Sequence, residues 1–329
     1  MSDFGLEETP RRPHGHVVPR FAGLSTFARL PYTQNLQGAD VAIFGVPYDG
    51  GTTFRPGARF GPQGIRQASR LLRAYNYALD VQPFDDLSAV DYGDLALIPF
   101  DIEETYTMVE EQLSVLYDND TFPVALGGDH SVGLPLLRAC AKKHGPVSLV
   151  QLDSHPDTWE QVFGKEYSHA TVMKRAIDEG LINPHRSVQV GIRGTFPNRD
   201  DLEKARATGL TVVTVEELFR RGIQDVAAGI LDLVGDKVYL SFDIDFVDPA
   251  YAPGTGTPEI GGPTSRQALD LLRELKSLPL VGFDLVEVSP PYDSAEITSM
   301  LAANVVQEVI SLLAWQKLHH ASTNKRAPG

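Results

Sequence analysis

Apolar, β-branched runs alternate with amphipathic stretches along almost the whole chain, and that alternation leaves few folds open. Residues 41–46, 88–91, 122–126, 147–152, 187–191, 212–214, 238–242 and 280–285 read as strands. Helical periodicity is expected over 61–73, 102–117, 132–144, 169–179 and 295–318. Such a succession points to an α/β protein with a mostly parallel sheet and helices on both faces. No internal repeat, low-complexity tract or interdomain linker breaks the pattern. The expectation is therefore one domain over residues 1–329, with a flexible N-terminal arm over 1–38 and a tail over 321–329.

Three of these strands lead into clusters of acids and imidazoles: Gly127-Gly128-Asp129-His130-Ser131, Asp153-Ser154-His155-Pro156-Asp157, and Ser241-Phe242-Asp243-Ile244-Asp245. If each segment stays extended, alternate side chains share a face. Asp153, His155 and Asp157 would then project together, and so would Asp243 and Asp245. Open α/β sheets bind ligands beyond the carboxyl ends of their strands, where these clusters can converge. Lone aspartates after strands are usually turn formers or helix caps, and Asp129, just before Ser131, fits that role. Asp-x-His-x-Asp and Asp-x-Asp together do not. His130, Asp153, His155, Asp157, Asp243 and Asp245 supply two imidazoles and four carboxylates, whose charge matches two divalent cations. The oxygen-rich set suits Mn2+ best and admits Ni2+, cobalt or zinc. Gly127-Gly128 lacks the further glycines and the lysine of a phosphate loop.

The formal net charge of -14 argues against nonspecific nucleic-acid or anionic-membrane binding and accommodates a cationic substrate. A single cysteine, Cys140, excludes an internal disulfide and reads as a small buried thiol. Residues 1–19 lack the apolar core of a signal peptide, and no run is expected to span a bilayer, so the expected location is cytoplasmic.

At these residues the chain resembles the ureohydrolase family of arginases and agmatinases, closest to agmatinase and guanidinobutyrase-type members. The likeness includes all three clusters, Gly45-Val-Pro-Tyr-Asp49, Arg55-Pro-Gly-Ala-Arg-Phe-Gly-Pro62, 241–262 and 284–293, and it spans residues 39 to 305. It implies a three-layer α/β/α arginase-like fold around an eight-stranded parallel sheet. It also implies two manganese ions, a homotrimer or homohexamer, and hydrolysis of a guanidino group to urea and an amine. Asp157 then both ligates metal and orients the nucleophile, His169 shuttles a proton to the leaving amine, and Glu287 pairs with the guanidinium.

Arginases read the amino-acid end of arginine partly through a polar residue two positions beyond the Asp-x-His-x-Asp motif. Trp159 stands there, and an indole is poorly suited to a carboxylate. Agmatine is therefore the first expectation for a substrate contacting Trp159, with 4-guanidinobutyrate, guanidine and alkylguanidines as alternatives. The glycine- and proline-rich stretch 249–262 is expected at the pocket rim. Two readings from other classes remain open at this point: a non-catalytic subunit of a ureohydrolase assembly, and a one-metal zinc deacetylase on a related fold.

Overall fold

A computed structural model describes Arg12 and residues 17–324. The strands are β1 (Val41–Gly45), β2 (Ala89–Asp94), β3 (Phe122–Leu126), β4 (Ser148–Leu152), β5 (Val188–Ile192), β6 (Thr211–Thr214), β7 (Val238–Asp243) and β8 (Leu280–Val286). They form one sheet in the order β2-β1-β3-β8-β7-β4-β5-β6, every pairing parallel. The eight expected strands are all present, displaced by a few residues at most. The sheet is buried on both faces because its side chains alternate. Leu240 and Phe242 join Val150, Leu152, Phe283 and Leu285 in one core, while Tyr239 joins Leu149 and Val286 in the other. Truncating the fully buried Phe242 to Ala would cost about 3–5 kcal/mol.

The helices are α1 (Gly61–Ser69), α2 (Pro83–Asp86), α3 (Ile102–Asp118), α4 (Gly133–His144), α5 (Val172–Asp178), α6 (Asp201–Ala207), α7 (Val215–Arg221), α8 (Ile223–Leu233), α9 (Ser265–Glu274) and α10 (Ile297–Asn324). The helix expected over 169–179 opens instead with a 3-10 turn at His169–Thr171. Helices α6 to α9 were not expected from periodicity. Two of them carry a legible start signal: Thr214 with Glu217, and Thr264 with Gln267, are reciprocal capping boxes.

Three further expectations need correction. Part of the arm over 1–38 is built into the body: Phe27 and Ala28 are fully buried, and the Phe27 N–H donates to Asp91 Oδ2 at 2.6 Å. The final helix reaches Asn324, so it overlaps the expected tail over 321–329. The remainder of both segments (1–11, 13–16 and 325–329) lies outside the described residues. The span Ser294–His319 is also long and apolar enough to cross a membrane, contrary to expectation. Its most apolar window is 72% buried inside the protein, against α1, α2 and α9, as befits a core helix.

Candidate metal centre and active site

Strand order gathers the expected donors. Strands β3, β8, β7 and β4 are contiguous at the centre of the sheet, and their carboxyl ends lead to His130, Glu287, Asp243 and Asp153. Register sets their level: Leu152 pairs with Phe242 and Asp243 with Val286, so Asp153, Asp243 and Glu287 emerge at one edge. This is the crevice position expected of a doubly wound sheet.

The donors converge, but not through continued strand alternation. Strand β4 ends at Leu152, and residues 153–157 form a loop in which Asp157 takes φ +52°. Asp245 sits in a 3-10 turn at Ile244–Phe246. The turns are held by the candidate donors themselves: Asp153 Oδ1 accepts the His155 N–H at 2.6 Å, and Asp243 Oδ1 accepts the Asp245 N–H at 2.8 Å. Beneath them, buried Gln151 donates to Asp153 Oδ2 at 2.7 Å, and Gln189 donates to Gln151 Oε1 at 2.7 Å and to the Pro156 carbonyl at 2.6 Å.

Two donor triads result, His130–Asp153–Asp157 and Asp153–His155–Asp245, each with ligand atoms within 4.8 Å of one another. Asp153 belongs to both. Asp243 adds a carboxylate oxygen 3.4 Å from His130 Nδ1, beside those of Asp153 at 3.1 Å and Asp157 at 2.9 Å. His130 Nδ1 is nevertheless buried without a hydrogen-bond partner, as is Asp245 Oδ2. Orphaned polar atoms are costly unless another group satisfies them, and these two belong to opposite triads. The His130 ring is set from behind. Its Nε2 lies 2.9 Å from Ser241 Oγ, whose hydroxyl donates to buried Asp284 at 2.7 Å. Nε2 therefore carries the hydrogen, leaving the Nδ1 lone pair facing the carboxylates. The residues fit a pair of divalent cations.

Electrostatics agree. Burial, then Asp157 and Asp245, push the Asp153 carboxyl up to about 7, and burial with Asp245 and Asp153 lifts Asp243 well above the carboxylate range. Burial opposes charge on Asp245 too, but His155 and Ser154 outweigh it and hold that carboxyl below its usual range. Bare carboxylates packed this closely must bind protons or cations.

His169 and Glu287 adjoin the triads. Glu287 takes φ +65°, an uncommon conformation that marks strain at the site. Its Oε1 accepts the His130 backbone N–H at 2.8 Å and lies 2.8 Å from His169 Nδ1, while Oε2 is buried and unpartnered. Gly256 keeps that oxygen approachable, since a Cβ there would stand 3.1 Å from it. Burial works against charge on His169, but Glu287, Asp129 and Asp157 outweigh it and raise the ring to about 9. Asp129 takes the capping role expected of it, accepting from Ser131 at 2.9 Å, and also ties down the Gly51 N–H at 2.7 Å.

Above this floor opens a cavity of about 500 Å³. His130, His155, Asp157, His169 and Asp243 line its base, and Trp159, Phe163, Pro197, Asn198, Thr257 and Glu259 line its wall. The stretch 249–262 thus contributes to the rim as expected. Trp159 is half-buried, and its indole N–H reaches toward Asp201 Oδ2 at 3.4 Å.

The Arginase family profile matches residues 39–311. The chain belongs to the arginase family. Among curated relatives it is similar to a guanidinobutyrase from Pseudomonas aeruginosa, 44% identical over 303 residues (91% of this chain, 95% of the relative). It is also similar to a mitochondrial agmatinase from Gallus gallus, 42% identical over 302 residues (92% and 89%). Among solved structures, proclavaminate amidino hydrolase from Streptomyces clavuligerus superposes with a TM-score of 0.87 at 45% identity, covering 91% of this chain and 99% of that one. The arginase-family fold expected from the motifs is the fold observed.

Within that fold, sequence reasoning missed the residues that set the donors. Gln151, Ser154 and Ser241 contact the candidate donors directly, Gln189 and Asp284 hold Gln151 and Ser241 from behind, and Thr53 contacts His169. A polar residue inside an otherwise apolar strand, such as Gln151 or Ser241, was the available signal.

Proposed function

We propose that this chain is a dinuclear-metal amidinohydrolase that cleaves a guanidino compound to urea and an amine, with agmatine as the leading substrate. The observation that carries the reading is the pair of triads sharing Asp153 at the base of the cavity. Their donors support Mn2+ first and Ni2+ second, because oxygen ligands predominate. Such ions would lower the pKa of bound water from 15.7 to about 7, supplying the strong nucleophile that a charge-delocalised guanidinium carbon demands.

The chain's own residues supply the rest. His130, Asp157 and Asp243 would hold one ion, His155 and Asp245 the other, with Asp153 between them. Asp157, at the cavity base, also orients the attacking oxygen by accepting its hydrogen bond. Glu287 Oε2 lacks a partner, and a guanidinium N–H satisfies it with a charge-assisted bond. His169 holds the proton that the leaving amine needs.

The wall discriminates the far end of the substrate. Among the described residues lining the cavity there is no lysine or arginine, and Glu259 contributes an acid. That composition favours the cationic amine of agmatine and disfavours the amino-acid end of arginine. A second reading, 4-guanidinobutyrate, is favoured by the name of the Pseudomonas relative. Its carboxylate would rely on neutral donors such as Asn198. Guanidine and alkylguanidines would fill only the inner part beside Trp159. The paired triads favour this chemistry over a one-metal deacetylase. We further propose a cytoplasmic homotrimer or homohexamer, to be checked by sedimentation.

The test is urea release from agmatine, 4-guanidinobutyrate, guanidine and arginine by protein loaded with manganese or nickel. Agmatine should lead. A lead for 4-guanidinobutyrate selects the second reading, and no urea from protein holding two ions selects a non-catalytic subunit.

A further inference from the structure

Both ring nitrogens of His169 are already engaged by the protein. Nδ1 faces Glu287 Oε1 at 2.8 Å. Nε2 accepts the Thr53 backbone N–H at 3.1 Å and lies 2.7 Å from Thr53 Oγ1. A backbone N–H can only donate, so in the neutral ring Nε2 holds the lone pair and Nδ1 carries the hydrogen. Neither nitrogen is left to touch a substrate. Thr53 Oγ1, in contrast, has no other hydrogen bond among the described residues, and Thr53 lines the cavity beside His169 and Asp157.

The loop bearing Thr53 is fixed in place. Buried Asp129 accepts the Gly51 N–H at 2.7 Å, and the Gly51 carbonyl accepts the His169 N–H at 3.1 Å. A Cβ at Gly51 would stand 2.6 Å from Ser131 Oγ, so the backbone passes there only as glycine. Loop and histidine are thus clamped together, with one rotatable hydroxyl between the ring and the cavity.

We propose that Thr53 is a further catalytic residue, whose hydroxyl carries the proton from His169 to the leaving amine; this rests on the amidinohydrolase reading. On the charged ring, Nε2–H donates to Thr53 Oγ1, the longer backbone contact gives way, and the hydroxyl hydrogen turns into the cavity. As the substrate C–N bond breaks, its electron pair goes to the leaving nitrogen. That nitrogen takes the Thr53 hydroxyl proton while Oγ1 takes the Nε2 proton. The ring ends neutral and Thr53 is regenerated; the water consumed by the hydrolysis supplies the attacking oxygen and the proton that recharges the ring.

The experiment compares wild type, Thr53→Val and Thr53→Ser for kcat, KM, metal content and the proton inventory in mixed light and heavy water. Thr53→Val keeps the backbone N–H and the side-chain shape but removes the hydroxyl. It should lower kcat on the order of 10²-fold, the scale of a lost general acid, with KM and two ions per chain retained. Thr53→Ser should restore most of that turnover. The wild-type inventory should be bowed, reporting two protons in flight, and that of Thr53→Val should not. Wild-type turnover with an unchanged Thr53→Val overturns the relay alone, as does a Ser variant as slow as the Val variant. A wild type that binds two ions and releases no urea from any guanidino compound overturns the underlying reading instead.

Discussion

Asp153 at the base of the cavity is fully buried, accepts hydrogen bonds from Gln151 and from the His155 backbone, and stands where four central strands end. Phe163 at the mouth is 85% exposed and sits at the tip of a tight turn, in which Val162 and Lys165 exchange backbone hydrogen bonds at 2.9 Å. The first residue is determined from several directions at once, the second only by its own turn. A base built this way presents one invariant geometry to the guanidino head that all candidate substrates share. A wall carried on loops can change its side chains without disturbing that geometry, and substrate choice belongs there.

If the contrast is right, damage at the base should remove chemistry and damage at the wall should only shift preference. The largest effect is expected from Asp245→Ala, which deletes a donor from one triad: bound metal should fall below two ions per chain and urea release to background, with the circular dichroism spectrum retained. Normal turnover would break the assignment. His169→Ala should lower kcat by ~10²–10⁴-fold while both ions stay bound, since the ring is placed beside the triads and outside them. Loss of metal in that variant would merge the two roles. Gln151→Leu should weaken metal binding by about 10–100-fold, the usual cost of removing a group that orients a ligand. Titration of the metal-free protein with Mn2+ reads this directly. The smallest change is expected at the wall: Trp159→Ala should raise KM for agmatine by roughly tenfold, about 1.4 kcal/mol, with kcat little altered. A collapse of kcat would place Trp159 with the base.

The same division governs what the sequence revealed. The six candidate donors, which the structure brings together, were legible because acids and histidines crowd the ends of apolar strands, a pattern with few structural uses. Their local geometry was not: a continued strand was expected through 153–157, whereas Pro156 interrupts any ladder and Asp157 turns to φ +52°. Glu287 and His169 came from motif likeness, since nothing local distinguishes a strand-end Glu or a turn His. Thr53 and Asp284 were given no role because the partners they contact, His169 and Ser241, lie 116 and 43 residues away. Such pairings are set by strand order and register, which periodicity does not encode. The buried part of the N-terminal arm, Thr26 to Leu30, was missed for a related reason: Phe27 and Leu30 form no periodic run of their own, yet they close the core beside α1.

The most direct test of the central claim is anomalous diffraction at the manganese absorption edge from crystals grown with Mn2+. Two peaks should appear on either side of the Asp153 carboxylate, one beside His130 and Asp157, the other beside His155 and Asp245. A single peak, or metal bound away from Asp153, would contradict the account.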